Sequence, residues 1–316
     1  MNDFSLESLK VGDELQGYFI VKSVNVKTSS NNKLYLDLML GDQTGEINGK
    51  VWDANEDMVE QFVAGAVVKA KGTVTSWQSN LQLKIVRVRI AAESDDINYD
   101  TLVQSAPLKP QDMYTYIVGI IDDMKNEDIK RLVKFLVEEK EDKFLTHPAA
   151  KRHHHAIRSG LIYHIYRMLQ SGVALSSVYS NINTDLLYAG IILHDLEKIN
   201  EMAADKLGIV SDYTKEGQLL GHIIMGIKRI DEAAKELDVS EEVSQLLQHM
   251  ILTHHYEPEY GSPKKPMMPE GELLHYIDMI DARMYDMDKA LSNIEVGEFS
   301  DPVFVLDRRR IYKADL

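Results

Sequence analysis

Residues 15–92 alternate between apolar and polar positions in short runs. Leu34, Leu36, Leu38 and Leu40 alternate with Tyr35, Asp37 and Met39, the period of a strand with one buried face. Residues 41–45 (GDQTG) follow as a turn. Ile47, Gly49 and Val51 then alternate with Asn48, Lys50 and Trp52. A short helical stretch over 55–62 separates this run from a further strand over 67–74, and 76–80 reads as a hairpin. Leu81, Leu83 and Ile85 alternate with Gln82 and Lys84, after which the phase slips, as it does at a β-bulge. Five short strands, with a helix between the third and fourth, predict a small closed barrel.

From residue 112 onward the period becomes helical. Met113, Tyr116, Ile117, Ile120 and Ile121 form one stripe, and Ile129, Leu132, Val133, Leu136 and Val137 form another. The charge run 138–143 reads as a solvated helix end. The fold class is therefore multidomain α and β. A five-stranded barrel of the OB type precedes an all-α helical bundle. The expected boundaries are 1–92 for the barrel, 93–112 for a linker with two prolines and an acidic cluster, 113–300 for the helical domain and 301–316 for a tail.

Composition narrows the classes. The chain has 316 residues, 44% hydrophobic and 27% charged, an ordinary globular mix. The longest nearly unbroken apolar run, 186–193, is far short of the ~20 residues that span a bilayer. No basic patch followed by an apolar block opens the sequence, so no secretory signal is expected. Cysteine is absent, which removes disulfides, thiolate zinc sites and cysteine nucleophiles and fits a reducing cytoplasm. The net charge of −15 argues against coating nucleic acid by charge alone. That charge is uneven, because residues 1–92 carry 10 basic against 11 acidic side chains and the acidity lies in the remainder.

One face of the barrel strands collects Tyr35, Lys50, Trp52, Gln82 and Lys84. Aromatic rings interleaved with Lys and Gln suit a single-stranded nucleic acid, whose bases stack and whose phosphates meet the ammonium groups. An exposed strand face with incidental aromatics is the plainer alternative.

All 11 histidines lie at or beyond position 147. His164 sits at the edge of the stripe Ile157, Leu161, Ile165 and Met168. The apolar run 186–193 ends in His194-Asp195, with Lys198 three positions further on. His222 falls on a stripe with Leu219, Ile223, Gly226 and Ile230. His254 continues Val243, Leu247, Met250 and Ile251, and His255 follows it. Leu274, Asp278, Asp281 and Tyr285 share one face at spacings of 4, 3 and 4. Any one of these would pass for a satisfied core residue. A whole series of imidazoles and carboxylates on inward helical faces is costly to bury unless it converges on a cation.

The order H…HD…H…H…D resembles the HD-domain metal-dependent phosphohydrolases. The segments GLIYHIYRML, LLYAGIILHDLEKI, EGQLLGHI, HMILTHHYEPEYGSP and LLHYIDMIDARM are similar to the HD domain of YhaM-type 3′→5′ exoribonucleases. YLDLMLGDQTGEINGKVWD resembles that family's nucleic-acid module, and the tail FVLDRRRIYK is similar too. The resemblance implies a hydrolase that shortens single-stranded RNA to 5′-mononucleotides, with single-stranded DNA left open. It implies two divalent ions, Mn²⁺ the expected one, and assembly into a homo-oligomer, with no membrane partner. As metal ligands it implies His164, His194, Asp195, His222, His254 and Asp278, with Asp195 bridging. His255 and Asp281 are implied as further metal or phosphate contacts, and Lys198 as the group facing the phosphate. The alternative is an HD phosphohydrolase acting on free nucleotides or cyclic dinucleotides, with a regulatory barrel. Glu197 departs from the small residue usual in that position, and could pair with Lys198 or reach a metal. The triple 153–155 is a second ambiguity, as an RNA contact or an alternative first ligand.

Overall fold

A computed structural model describes residues 4–29, 31–52, 54–78, 80–92, 94–151, 155–292 and 294–316. The chain divides into two compact units, Met1–Ser105 and Ala106–Leu316.

The first unit is a closed five-stranded barrel in the order β1-β2-β3-β5-β4. Its strands are β1 (Glu14–Thr28), β2 (Leu34–Asp42), β3 (Gly45–Val51), β4 (Val67–Trp77) and β5 (Asn80–Ile90), with helix α1 (Glu56–Gln61) between β3 and β4. This is the expected OB topology. Leu36, Leu38, Leu40, Ile47, Val51, Val68, Val74 and Leu83 fill the interior with Phe19. Leu34, at the start of β2, is exposed instead of buried. Asn55 caps α1 by accepting the Met58 N–H.

The phase slip in β5 is a bulge. Lys71 pairs with Arg87 but Gly72 pairs with Ile85, so Val86 is the extra residue. Gly72 opposes it at close quarters, where a Cβ would sit 2.5 Å from the Lys84 carbonyl oxygen. Beyond the bulge Val88 and Ile90 turn toward the core, while Arg87 and Arg89 turn outward.

The second unit is built on helices α2 (Pro110–Asp122), α3 (Glu127–Glu138), α4 (Glu141–Phe144), α5 (Gly160–Ser176), α6 (Thr184–Leu193), α7 (Lys198–Glu201), α8 (Lys215–Glu236), α9 (Glu241–Thr253) and α10 (Pro269–Ser292). It is not wholly helical, because β6 (Met202–Ala204) and β7 (Val210–Tyr213) pair antiparallel between α7 and α8. The stripes of α2, α3, α5 and α9 meet α6 in one core. Helix α6 has no polar face among residues 186–193 because it runs through the centre of that core.

Two local expectations fail. Leu219 is 72% exposed, off the stripe that the helical period predicts for it. Gly221, at φ 71 and ψ 160, breaks α8 and resets its phase between Leu219 and His222. The run 138–143 is not uniformly solvated either. Lys140 is buried, with its ammonium 3.0 Å from the buried Glu197 carboxylate. No helix among the described residues is long and apolar enough to cross a membrane.

Candidate active site

Asp195 lies at the centre of the second unit's polar cluster. Its Oδ2 is 3.3 Å from His194 Nε2, 3.8 Å from His164 Nε2 and 2.7 Å from Lys198 Nζ. Its Oδ1 is 3.3 Å from His222 Nε2 and 3.9 Å from His254 Nε2. His164 Nε2 is also 3.3 Å from Asp278 Oδ1. The donors around Asp195 fall into two groups, His164/His194/Asp195 and Asp195/His222/His254/His255, each with its ligand atoms within 4.8 Å of one another, and a third such group, His155/His164/Asp281, adjoins them through His164. Asp195 belongs to both, the position of a bridging carboxylate.

Each element delivers its side chain by a simple local device. His194 and His254 follow the last residues of α6 and α9, one turn past the carbonyls they use. His194 Nδ1 donates to Ile191 O at 2.8 Å, and His254 Nδ1 donates to Ile251 O at 2.8 Å. His255 Nδ1 donates to Tyr260 O at 2.6 Å. The break at Gly221 frees the backbone N–H of His222, which donates to Glu201 Oε1 at 3.0 Å. The same oxygen lies 3.2 Å from His222 Nδ1. His164 Nδ1 is 2.8 Å from Asp281 Oδ2.

A nitrogen that donates to a carbonyl or carboxylate oxygen leaves its neutral ring with a lone pair on the other nitrogen. In His194, His222 and His254 that other atom is Nε2, aimed at Asp195. These three atoms and Asp195 Oδ1 are buried, with no hydrogen-bond partner among the described residues. Burying four acceptors face to face is expensive unless something positive sits between them. Imidazole and carboxylate donors, each ring fixed from behind, are the set a divalent cation takes.

The electrostatics agree. Burial opposes ionisation of Asp195, but Lys198 and His194 outweigh it and hold the carboxyl well below its usual range. Asp278 is likewise held low against burial, chiefly by its bond with His164. Burial drives His254 well below the usual imidazole range, so it is neutral and able to ligate. Burial also opposes the charge on Lys198, but Asp195 prevails and its pKa is raised. A cavity of about 240 Å³ opens onto Asp195, Lys198, His254, His255, Tyr260, His275 and Asp278.

Asp281 stands behind this cluster. Its Oδ2 meets both His164 Nδ1 and His155 Nε2, the latter at 2.7 Å, and its Oδ1 takes Arg167 Nε at 2.7 Å. His155 is thus a buried partner of Asp281, while His153 and His154 lie outside the described residues. Glu197 turns away from the site. It pairs with Lys140 and accepts from Asn200 Nδ2 at 2.8 Å. Its carboxylate does not pair with Lys198, whose own partner is Asp195.

On the barrel, Tyr35, Lys50, Trp52, Gln82 and Lys84 share the outer face of β2, β3 and β5. The Tyr35 and Trp52 rings stack with centroids 4.7 Å apart, and the Lys50 ammonium lies 5.9 Å from the Trp52 ring centre. Lys50 sits opposite Lys84 in the parallel β3–β5 pair. Gln82 is engaged, donating to Asn48 Oδ1 at 3.0 Å. Sequence reasoning missed Glu201 and Gly221. The signal was present as a glycine directly before a candidate ligand, inside an otherwise helical pattern.

A closed barrel ahead of a helical histidine–aspartate centre defines a class. Residues 20–91 match the OB-fold nucleic acid binding domain and residues 161–283 match the HD domain. The 3′-5′ exoribonuclease YhaM of Bacillus subtilis is 40% identical over 96% of this chain and 96% of its own length. Those of a Geobacillus species and of Halalkalibacterium halodurans are 41% and 42% identical over 96% of this chain and 93% and 94% of theirs. The chain belongs to the YhaM 3′-5′ exoribonuclease family.

Proposed function

We propose that this chain is a metal-dependent 3′→5′ exoribonuclease. It shortens single-stranded RNA to 5′-mononucleotides. The barrel grips the strand and the HD domain hydrolyses the 3′-terminal phosphodiester. The convergence of buried imidazole nitrogens on Asp195, each ring fixed from behind, carries this reading.

His164, His194, Asp195 and Asp278 would hold one divalent ion, and Asp195, His222 and His254 the other, with Mn²⁺ suited to such a mixed set. Bound there, such ions supply Lewis-acid polarisation of the phosphate and lower the pKa of water. The protein's own part is positioning. The Ile191 and Ile251 carbonyls, Glu201 and Asp281 hold the rings before substrate arrives, so no reorganisation is needed at the moment of reaction. Lys198 keeps a cation on the cavity wall, where it meets the non-bridging phosphoryl oxygens. His255 offers a second contact there.

The test uses single-stranded RNA labelled at its 5′ end, with purified protein and Mn²⁺, with and without chelator. The expected result is a ladder shortening from the 3′ end. Chelator erases it, and so does replacing His194 and Asp195 together by Ala, while RNA binding persists. Shortening that survives the double replacement places the chemistry elsewhere. Intact RNA beside hydrolysed free nucleotides moves the assignment to a small-molecule phosphohydrolase.

A further inference from the structure

The barrel carries a second groove that the stacked-aromatic face does not explain. It encloses about 720 Å³, and its lining includes Gln16 on β1, Lys69 and Lys71 on β4, Arg87 and Arg89 on β5, and Trp52. Among the described residues that line it, four are cations and none is a carboxylate. The sequence shows the same bias, because between Glu60 and Glu93 the chain holds five basic residues and no acidic one.

The strand register makes this arrangement costly. Lys69 sits directly opposite Arg89, and Lys71 directly opposite Arg87. Like charges in cross-strand pairs repel. The bulge at Val86 creates the problem. Were β5 to continue the alternation of Gln82 and Lys84 without it, Val86, Val88 and Ile90 would face outward, and the two arginines would not join the lysines. The extra residue reverses the phase and brings all four cations to one surface. Bulges often re-aim side chains at functional sites in this way.

Two of the four are already engaged. Arg89 makes a bidentate pair with Asp95, at 2.6 and 2.7 Å, and the Lys69 ammonium lies 5.0 Å from the Tyr18 ring centre. Lys71 and Arg87 are exposed, with no carboxylate partner among the described residues. Trp52 lines this groove and also stacks on Tyr35, so the two surfaces share one wall.

We propose that the β4–β5 groove binds the phosphodiester backbone of single-stranded RNA, with Lys71 and Arg87 meeting consecutive phosphates while bases stack at Trp52 and Tyr35. The polyanion is identified as RNA on the exoribonuclease reading above. The four cations of the groove, the like-charge pairing across β4 and β5, and its continuity with the aromatic pair supply the rest.

The experiment measures binding of a fluorescent single-stranded RNA to the full chain, by anisotropy, over a range of salt and with chelator present to prevent cleavage. Lys71→Ala/Arg87→Ala is compared with the wild type and with a charge-matched control, Lys10→Ala/Lys125→Ala. The groove variant is expected to bind on the order of tenfold more weakly at low salt. Its log–log salt slope should be shallower by about 1.4, roughly 0.7 for each phosphate that is no longer neutralised. The control should keep the wild-type slope. The groove variant should melt no lower than the wild type, since its substitutions relieve a repulsion. If the wild type binds and shortens RNA but the groove variant keeps the wild-type affinity and slope, this proposal fails and the exoribonuclease reading stands. A wild type that neither binds nor shortens RNA overturns both.

Discussion

Asp281 Oδ2 accepts the Nδ1 proton of His164 at 2.8 Å and turns the opposite nitrogen toward Asp195 and Asp278. A carboxylate behind an imidazole fixes its tautomer and makes it a better ligand. Asp281→Asn keeps the shape and can present its amide the wrong way round. The expected outcome is a loss of roughly 10- to 100-fold in Mn²⁺ affinity, read by titrating metal into stripped protein. Affinity within twofold of the wild type would mean that His164 needs no such support, or that it does not ligate.

Gly221 has φ 71 and ψ 160, a combination essentially reserved for glycine. Its break exposes the His222 N–H to Glu201 and sets the ring's direction. Gly221→Ala should lower stability by about 1–3 kcal/mol in urea melts and weaken metal binding at the same time. A variant that loses stability but keeps full metal affinity would separate the break from the site.

Trp52 is 55% exposed and stacks on Tyr35. Replacing it by Ala should weaken single-stranded RNA binding by about 1–3 kcal/mol, with the melting temperature unchanged because little buried surface is removed. Its salt slope should stay at the wild-type value, since every phosphate keeps its cation. Unaltered affinity would show that the aromatic pair takes no part in RNA binding.

Much of this is legible from residue order, because the barrel strands and the long helices bury one face each and therefore show their period. The bulge at Val86 announces itself as a slipped phase. Leu219 misleads because the helical stripe runs on through Gly221, and a backbone break has no periodic signature. Lys140 and Glu197 mislead for a different reason. They lie 57 positions apart, and a buried ion pair between distant segments leaves no local mark. The inward histidines are visible as a series. The contacts behind them, from Glu201 and Asp281 in particular, depend on tertiary geometry that spacing cannot supply.

That buried pair gives its own prediction. Lys140 Nζ and Glu197 Oε1 are 3.0 Å apart, and both side chains are over nine-tenths buried. Lys140→Met leaves the Glu197 carboxylate without its cation and should destabilise the fold by about 3–5 kcal/mol. Adding Glu197→Leu should recover most of the loss, since a pair of apolar groups often replaces a buried ion pair at little cost. Urea melts of the single and double variants decide it, and a double variant no better than Lys140→Met would sink the account.

Stability of the metal-stripped protein should depend on pH through its buried histidines. Burial lowers His147, His254 and His255, which adds to the acid side, while His155 and His164, both held by Asp281, pull in opposite directions. Burial also lowers His155, to about 4, although Asp281 works against the shift. Burial also opposes the charge on His164, but Asp278 and Asp281 outweigh it and push the pKa up to about 10. Both rings start from 6.5 when unfolded. As pH falls from 6.5 toward 4, the unfolded chain takes a proton at His155 that the folded chain refuses, and stability drops. As pH rises from 6.5 toward 10, the unfolded chain releases the His164 proton that the folded chain keeps, and stability drops again. The stripped protein should therefore be most stable near neutrality and lose on the order of a few kcal/mol on either side. Asp281→Asn, which removes a carboxylate that opposes one shift and helps drive the other, should reshape both arms. Urea melts from pH 4 to 10 with chelator present measure this, and a wild-type profile flat across that range would contradict the pairing of both rings with Asp281.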